Sequence, residues 1–405
     1  MKIFDVLSKP QLLVGLDIGS SSIKLARLKK TSRGIELCSF DTAILPPETI
    51  VDGNIMNPKA VVEKLRALAR ANDCVGKKCA IAIPGHSAIV KKISLPEMTQ
   101  KELAESMMWE AEHYIPFAIK DVNVDCQIVV PKAGQGQMDA LLVAAKKDLV
   151  NDYLTVVRTA GFQPVVVDID LLACQNAVAL NYGFPEQGNI AIINVGASTI
   201  NISVISNGVA VFARSISMGG YLLTEEIMKT LNVSWEEAEH YKTAANKESI
   251  SSSAVLREVQ KQHERISEVL VTEIQRSLDF FAATTIKADI MRIYLSGGAS
   301  QNTAMSRSLE RRLEVPVEMV DSFKNVVIDS RKFDLDLLMR ERPFAAVAMG
   351  LARRFQSDSA IGPGDVRINL IGEKKQVIYF PRLPRSISVR VPFIKKRCTL
   401  TLSID

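Results

Sequence analysis

Two strand–turn–strand units of one design, about 180 residues apart, constrain this chain more than any other feature in it. The first occupies residues 12–28: a short apolar strand, a Gly19-Ser20-Ser21-Ser22 turn, and a return in which Ile23, Leu25 and Leu28 alternate with Lys24 and Arg27. The second has an apolar strand over 189–195, a Gly196-Ala197-Ser198-Thr199 tip and a return over 200–205. Each predicts a β-hairpin with a polar, glycine-containing tip, and the pair points to internal duplication. A third glycine site ends the strand-like run 291–300, where Gly297-Gly298 opens a helix predicted over 301–313.

Between these sites strands and helices alternate, so the fold class is α/β. Residues 58–72 carry helical spacing (Val61, Val62, Leu65, Leu68, Ala69) and give way to a buried-strand run at 79–84. Residues 86–162 form a compact stretch with its own pattern: strand, helix over 98–115, strand, a Gly134-Gln135-Gly136 turn, strand, and helix over 149–160. That stretch predicts an inserted subdomain. A long helix around 255–281 is an ordinary packed one, and beyond Arg354 the pattern weakens into a linker at 357–364. At 405 residues the chain suits two domains around a cleft.

Apolar residues make up 47% and charged residues 23%, a globular composition that excludes a mostly disordered chain. The longest apolar runs, such as 140–145, fall far short of a membrane span. Residues 1–11 show neither a long hydrophobic segment nor a small-residue cleavage site, which argues against export. The six cysteines form no C-x-x-C pair and the four histidines no H-x-x-x-H spacing, so reduced structural thiols and no zinc are expected. A net charge of +5, much of it near the C-terminus, gives little support to a nucleic-acid partner.

Asp17 beside the Gly19–Ser22 turn supplies what a phosphate–metal site needs: backbone N–H groups that can reach phosphates and a carboxylate for hydrated Mg²⁺. Alone, D-x-G-S is more often a plain hairpin turn. Together the three glycine sites resemble, in order, the phosphate-1, phosphate-2 and adenosine motifs of the actin-like ATPases. The resemblance is most specific to the FtsA/PilM branch of the actin/Hsp70/sugar-kinase superfamily and covers roughly residues 12–354. Hinge-like segments stand at 168–177 and 343–352. Ala238-Glu239-His240-Tyr241-Lys242 is similar to the branch's A-E-x-x-K element, although a solvated helix face explains that match nearly as well.

The resemblance implies a two-lobed actin-like (ribonuclease H-like) ATPase fold with an FtsA-type inserted 1C subdomain. Lobe I would begin with residues 1–85 (subdomain 1A), take the insert at 86–162, and return with the first hinge at 163–190. Lobe II (2A/2B) would occupy 191–342, a second hinge helix 343–356, and a linker with an extended basic tail 357–405. ATP and Mg²⁺ are the implied cofactors. Gly15, Asp17, Gly19, Ser20, Ser21, Ser22 and Lys24 would hold phosphate from one lobe, with Asp17 reaching the metal through water. Asn194, Gly196, Ala197, Ser198, Thr199, Gly219 and Gly220 would hold it from the other. Glu239 and Lys242 would face the ribose and base, and Gly297, Gly298 and Ala299 the adenosine. The implied role is a cytoplasmic component of type IV pilus biogenesis, peripheral to the inner membrane. Its insert would take the N-terminal cytosolic peptide of a PilN-type membrane protein.

The chain departs from the pattern in two places, at Asn194 and in the tail. Asn194 stands where this superfamily usually has Asp, which implies binding with slow turnover, since losing a group that activates water costs on the order of 10²–10⁴ in rate. Asp170 occupies the hinge position nearest the attacking water, with Gln175 five residues on; these are the catalytic candidates, and the alternative for Asp170 is a helix N-cap. The segment 366–372, Val-Arg-Ile-Asn-Leu-Ile-Gly, resembles the partner's Ile-Asn-Leu-Leu-Pro peptide. Either it occupies the partner groove, in its own molecule or a neighbour, through Ile368, Asn369 and Leu370, or it preserves the start of a fused partner sequence, or it is a plain strand-like tail. Residues 374–405 mix Pro381, Pro384 and Pro392 with alternating runs, which favours extended chain over the membrane-surface helix with which FtsA ends. An FtsA-like tether, a small-metabolite kinase and a filament former remain the rival roles.

Overall fold

The structure is a computed structural model that describes residues 13–245, 254–285, 288–355, 366–372, 386–390 and 399–403. The linker expected at 357–364 lies outside these residues.

The first lobe opens with β1 (Val14–Ile18), β2 (Ser22–Thr31) and β3 (Gly34–Ile44), an antiparallel run in which Asp17 pairs with Lys24. A small hairpin, β4 (Ile50–Val51) and β5 (Asn54–Ile55), leads into α1 (Pro58–Ala71). That helix begins where the sequence says it should. The Asn57 side chain accepts from the Ala60 N–H at 3.1 Å and Pro58 occupies the first helical position. Then comes β6 (Lys78–Ile83), parallel to β1.

Next follow β7 (Ala88–Pro96), α2 (Gln100–Glu112), β8 (Val122–Gly134) and β9 (Gln137–Lys146). The three strands form a separate antiparallel sheet in the order β7-β9-β8. α2 is set by a complete capping box between Thr99 and Glu102. Its Leu103, Met107 and Ala111 share a core with Ile93, Leu95, Met138 and Leu142 that is distinct from the main one.

The second helix of the expected insert behaves differently. α3 (Lys147–Thr159) buries Val150, Tyr153, Leu154 and Val157 in the first lobe's core, and β10 (Gln163–Ile169) pairs parallel with β6. Parallel neighbours need a crossover, and α3 supplies it. The separately cored insert is therefore 88–146 rather than 86–162.

α4 (Asp170–Tyr182) leads to the second lobe, which opens with β11 (Asn189–Val195), β12 (Ile200–Ser206) and β13 (Val209–Ile216). α5 (Tyr221–Leu231), α6 (Trp235–Ala245) and α7 (Ala254–Thr284) follow, then β14 (Ile290–Ser296), α8 (Thr303–Leu313) and β15 (Val317–Met319). α7 buries one stripe, Val259, Ile266, Leu270, Ile274, Leu278 and Phe281, as its spacing requires. The two five-stranded sheets have matching topology: β3-β2-β1-β6-β10 in one lobe, β13-β12-β11-β14-β15 in the other. In each, a leading hairpin strand lies between two antiparallel and two parallel partners. The duplication read from the hairpins extends to the whole sheet.

α9 (Leu335–Glu341) and α10 (Ala346–Ala352) return the chain to the first lobe. α10 crosses α4 at Gly350, where an added Cβ would lie 1.8 Å from the Ala173 carbonyl oxygen. Only glycine permits that approach. Residues 372–405 form a separate unit that contains an antiparallel pair, β16 (Ser386–Arg390) and β17 (Thr399–Ser403). Among the described residues no helix is long and apolar enough to cross a membrane.

Candidate nucleotide cleft

The two leading hairpins end in tips closed by the same bond. Gly19 N–H donates to the Ser22 carbonyl at 3.1 Å, and Gly196 N–H to the Thr199 carbonyl at 2.8 Å. The tips face each other across the lobes, with the Ser20 and Ser198 hydroxyls 2.6 Å apart. Behind them lies a cavity of about 260 Å³ reached by both lobes. On the first side Asp17, one residue before the end of β1, meets the Lys24 ammonium at 3.2 Å, as their register dictates.

The second tip is braced from below. Gly220 N–H donates to the Gly196 carbonyl at 2.9 Å and Tyr221 N–H to the Ala197 carbonyl at 2.8 Å. Further along the cavity, Lys242 contacts Glu239 at 2.5 Å and the Thr224 hydroxyl at 2.7 Å. Burial pulls the Lys242 pKa down, and the Glu239 carboxylate opposes that shift. At the double glycine, Gly297 has φ +91°, and a Cβ there would stand 2.4 Å from the Val195 carbonyl oxygen. A Cβ on Gly298 would stand 2.9 Å from the Phe344 ring. Both glycines line the cavity and pack against neighbours too closely for a side chain.

Asp170 opens onto the same cavity at the start of α4. Its carboxylate accepts from the Asn201 amide of the opposite lobe at 2.9 Å and from its neighbour Leu171 N–H at 2.6 Å. Burial pushes its pKa up to about 6; these two hydrogen bonds pull against that, and the nearby Asp17 charge adds to it. Ile169, not Asp170, is the N-cap residue of α4.

The cavity lining gathers Asp17, Gly19, Ser20, Ser21, Lys24, Asp170, Asn194, Gly196, Ala197, Ser198, Thr199, Gly220, Glu239, Lys242, Gly297, Gly298 and Ala299. Four sequence candidates do not line it. Gly15 serves packing: its Cβ would lie 2.2 Å from the Ala348 carbonyl oxygen, so glycine lets α10 rest on β1. Ser22 closes the first tip through its carbonyl. Gly219 lies under the second tip, where a Cβ would be 2.6 Å from the carbonyl oxygens of Gly196 and Ala197. Gln175 is fully buried inside α4. Five residues turn a helix by about 140° beyond a full turn, so Gln175 points away from Asp170.

Sequence reading misses three polar contributors. His86 follows β6, and both its ring nitrogens are buried without a hydrogen-bond partner while the residue lines the cavity. His263 of α7 likewise brings an unpartnered Nε2 to the lining. Tyr153, on the crossover helix, reaches the cavity with its hydroxyl donating to the Gly53 carbonyl at 3.0 Å. Buried polar atoms left unpaired are costly, and a polar ligand would satisfy them.

Two lobes of matching topology, clasping one cleft between glycine tips and carrying a small sheet inserted in the first lobe, define an actin-like ATPase fold. The chain belongs to the type IV pilus assembly protein PilM family, whose model matches residues 15–356. It resembles a solved PilM-PilN type IV pilus biogenesis complex at 26% identity and a TM-score of 0.74, over 85% of this chain and 98% of that one. The cell division protein FtsA of Bacillus subtilis (strain 168) is 25% identical over 261 residues, 58% of this chain and 58% of that relative. The chain thus matches little more than half the length of FtsA. The ethanolamine utilization protein EutJ of Carboxydothermus hydrogenoformans shares the fold alone, at 15% identity and a TM-score of 0.50, over 85% of this chain and 90% of that one.

Proposed function

We propose that this chain binds ATP·Mg²⁺ in the cleft and acts as an adaptor of type IV pilus assembly at the cytoplasmic face of the inner membrane, where it takes the N-terminal cytosolic peptide of a PilN-type protein. The observation that supports the nucleotide reading is the contact of Ser20 with Ser198, between two glycine tips that line one cavity together with Asp17, Gly297 and Gly298. The tips take the phosphates, with Lys24 adding positive charge on the first side. Glu239, Lys242 and the double glycine take the nucleoside.

Mg²⁺ arrives with the phosphates. Among the described residues no group of three acidic, His or Cys side chains could hold a metal by itself, whereas Asp17 suits water-mediated contact to an ion already bound to phosphate oxygens. Asp170, charged above about pH 6, positions water. Asn194 leaves the phosphate side one carboxylate short, so hydrolysis is slow and binding is retained. Nucleotide then acts by favouring the lobe arrangement it binds more tightly.

Family membership and the likeness to a PilM-PilN complex chain support the pilus role and the partner. Calorimetric titration of a synthetic PilN-type N-terminal peptide into the chain, with and without ATP·Mg²⁺, tests both. Saturable binding whose affinity changes with nucleotide is expected. Absence of binding under both conditions, in a chain whose own tail has been displaced, would remove the partner reading.

A further inference from the structure

The family match ends at residue 356, yet residues 366–371 are built into the first lobe as if they were part of it. Val366, Ile368 and Leu370 are 3%, 0% and 0% exposed and join the core of α3 and β10. The segment lies between two sheet edges, β10 of the main sheet and β8 of the insert. Along β8, alternate side chains read its backbone in antiparallel order. Asn123 donates to the Leu370 carbonyl at 2.9 Å, Asp125 accepts from Asn369 N–H at 2.7 Å, and Gln127 accepts from Arg367 N–H at 2.6 Å. Residues two apart on a strand share a face, so one face of β8 is a ruler for extended chain.

The other edge reads a side chain. Asn369 accepts from Val167 N–H at 2.9 Å and donates to the Val165 carbonyl at 3.1 Å, imitating a strand partner, while Leu370 N–H donates to the Val167 carbonyl at 2.8 Å. Both hinge segments add to the grip. Asn176 of α4 exchanges two hydrogen bonds with Val366, and Arg354, just past α10, pairs with Asp168 and donates to the Ile368 carbonyl at 2.8 Å. Aliphatic, Asn, aliphatic in extended form is thus a recognised pattern, bound mainly through backbone and one amide.

We propose that residues 366–371 are a tethered occupant of a peptide groove, exchangeable for a second extended peptide with the same aliphatic–Asn–aliphatic core, so that the chain regulates access to its partner site in cis. The identity of the competing peptide rests on the partner reading above; the groove and its occupant do not. About ten residues separate the segment from the family domain, and a tether of that order gives an effective concentration near 1 mM. A segment with intrinsic affinity near 1 μM then holds the groove about 1,000-fold more often than it leaves it, and weakens a competitor by the same factor.

The test uses the full chain and a labelled peptide with the sequence of residues 366–372, a scrambled control and a PilN-type Ile-Asn-Leu-Leu-Pro peptide, read by fluorescence anisotropy. Ile368→Asp/Leu370→Asp ejects the segment, and Asn369→Ala loosens it more gently. Expected are a Kd for the labelled peptide at least about 100-fold lower in the double variant than in wild type, about 10-fold lower in Asn369→Ala, and no binding of the scrambled peptide. Equal affinity for wild type and variants, or no binding to variants that still melt cooperatively, overturns the proposal. If neither variant folds, hydrogen exchange at Leu370 N–H in wild type decides: acceleration by excess peptide supports exchange, and unchanged protection overturns it. A double variant that binds the 366–372 peptide but refuses the PilN-type peptide sinks the partner reading and leaves the groove proposal standing.

Discussion

Ser20 and Ser198, 178 residues apart in sequence, touch hydroxyl to hydroxyl at 2.6 Å and join the tips of two duplicated hairpins. Because one bond serves both residues, Ser20→Ala and Ser198→Ala should not be additive. A double-mutant cycle on thermal unfolding is expected to give a coupling of about 0.5–1.5 kcal/mol, the net worth of a single hydrogen bond. Zero coupling would mean that the tips do not meet in solution.

Asp170 makes a signed pH prediction. Its pKa is about 6 in the folded chain against 3.8 for an ordinary aspartate, so the folded state holds this proton more strongly. Stability from that proton is fully present below about pH 4 and lost as pH rises through about 6. Asp170→Asn escapes the loss. The variant is expected to match wild type near pH 4 and to exceed it by about 1–2 kcal/mol at pH 8, a figure reduced because the group opens onto the cavity. The same substitution should slow single-turnover ATP hydrolysis by about 10²-fold, and wild-type hydrolysis should fall as pH drops below 6. Denaturant melts across pH and quench-flow assays check both halves.

Asn194→Asp restores a carboxylate at the end of β11 beside the Gly297 backbone, where a Cβ on Gly297 would stand 2.5 Å from the Asn194 oxygen. Single-turnover hydrolysis is expected to rise by at least about 10-fold, with ATP affinity changed less than about threefold. An unchanged rate would contradict the proposed role of Asn194 in slowing turnover.

Gly350→Ala places a methyl group into the Ala173 carbonyl, where α10 crosses α4. Overpacking of this kind costs about 1–3 kcal/mol, more where backbone must move. A drop in Tm of several degrees is expected, and Gly15→Ala, against the Ala348 carbonyl, should behave alike. A neutral Gly350→Ala would contradict the α4–α10 crossing.

The parts legible in sequence are those with local periodicity. Alternation around Ile23, Leu25 and Leu28 gives the first hairpin, and the glycine tips announce themselves because tight turns demand those residues. The insert's own strands and helix were readable for the same reason. The role of α3 was not: it follows the insert in sequence, and only the parallel pairing of β6 with β10 assigns it to the main lobe. Gly15 and Gly219 carry no local signature that separates close packing from ligand contact. Gln175 is different, since helical geometry alone turns it away from Asp170. His86 and Tyr153 are single residues, and convergence on a cavity is a tertiary fact with no spacing to betray it.

The proposed function requires one nucleotide held between the two lobes, with Asp17 at its phosphate end. Calorimetric titration of ATP·Mg²⁺ into wild type and Asp17→Ala decides it. One site per chain is expected in wild type, with affinity weakened by at least about 10-fold in a variant that still melts cooperatively, though at lower Tm because Lys24 loses its buried ion-pair partner. Equal affinities, or no binding to a wild-type chain that melts cooperatively, would contradict it.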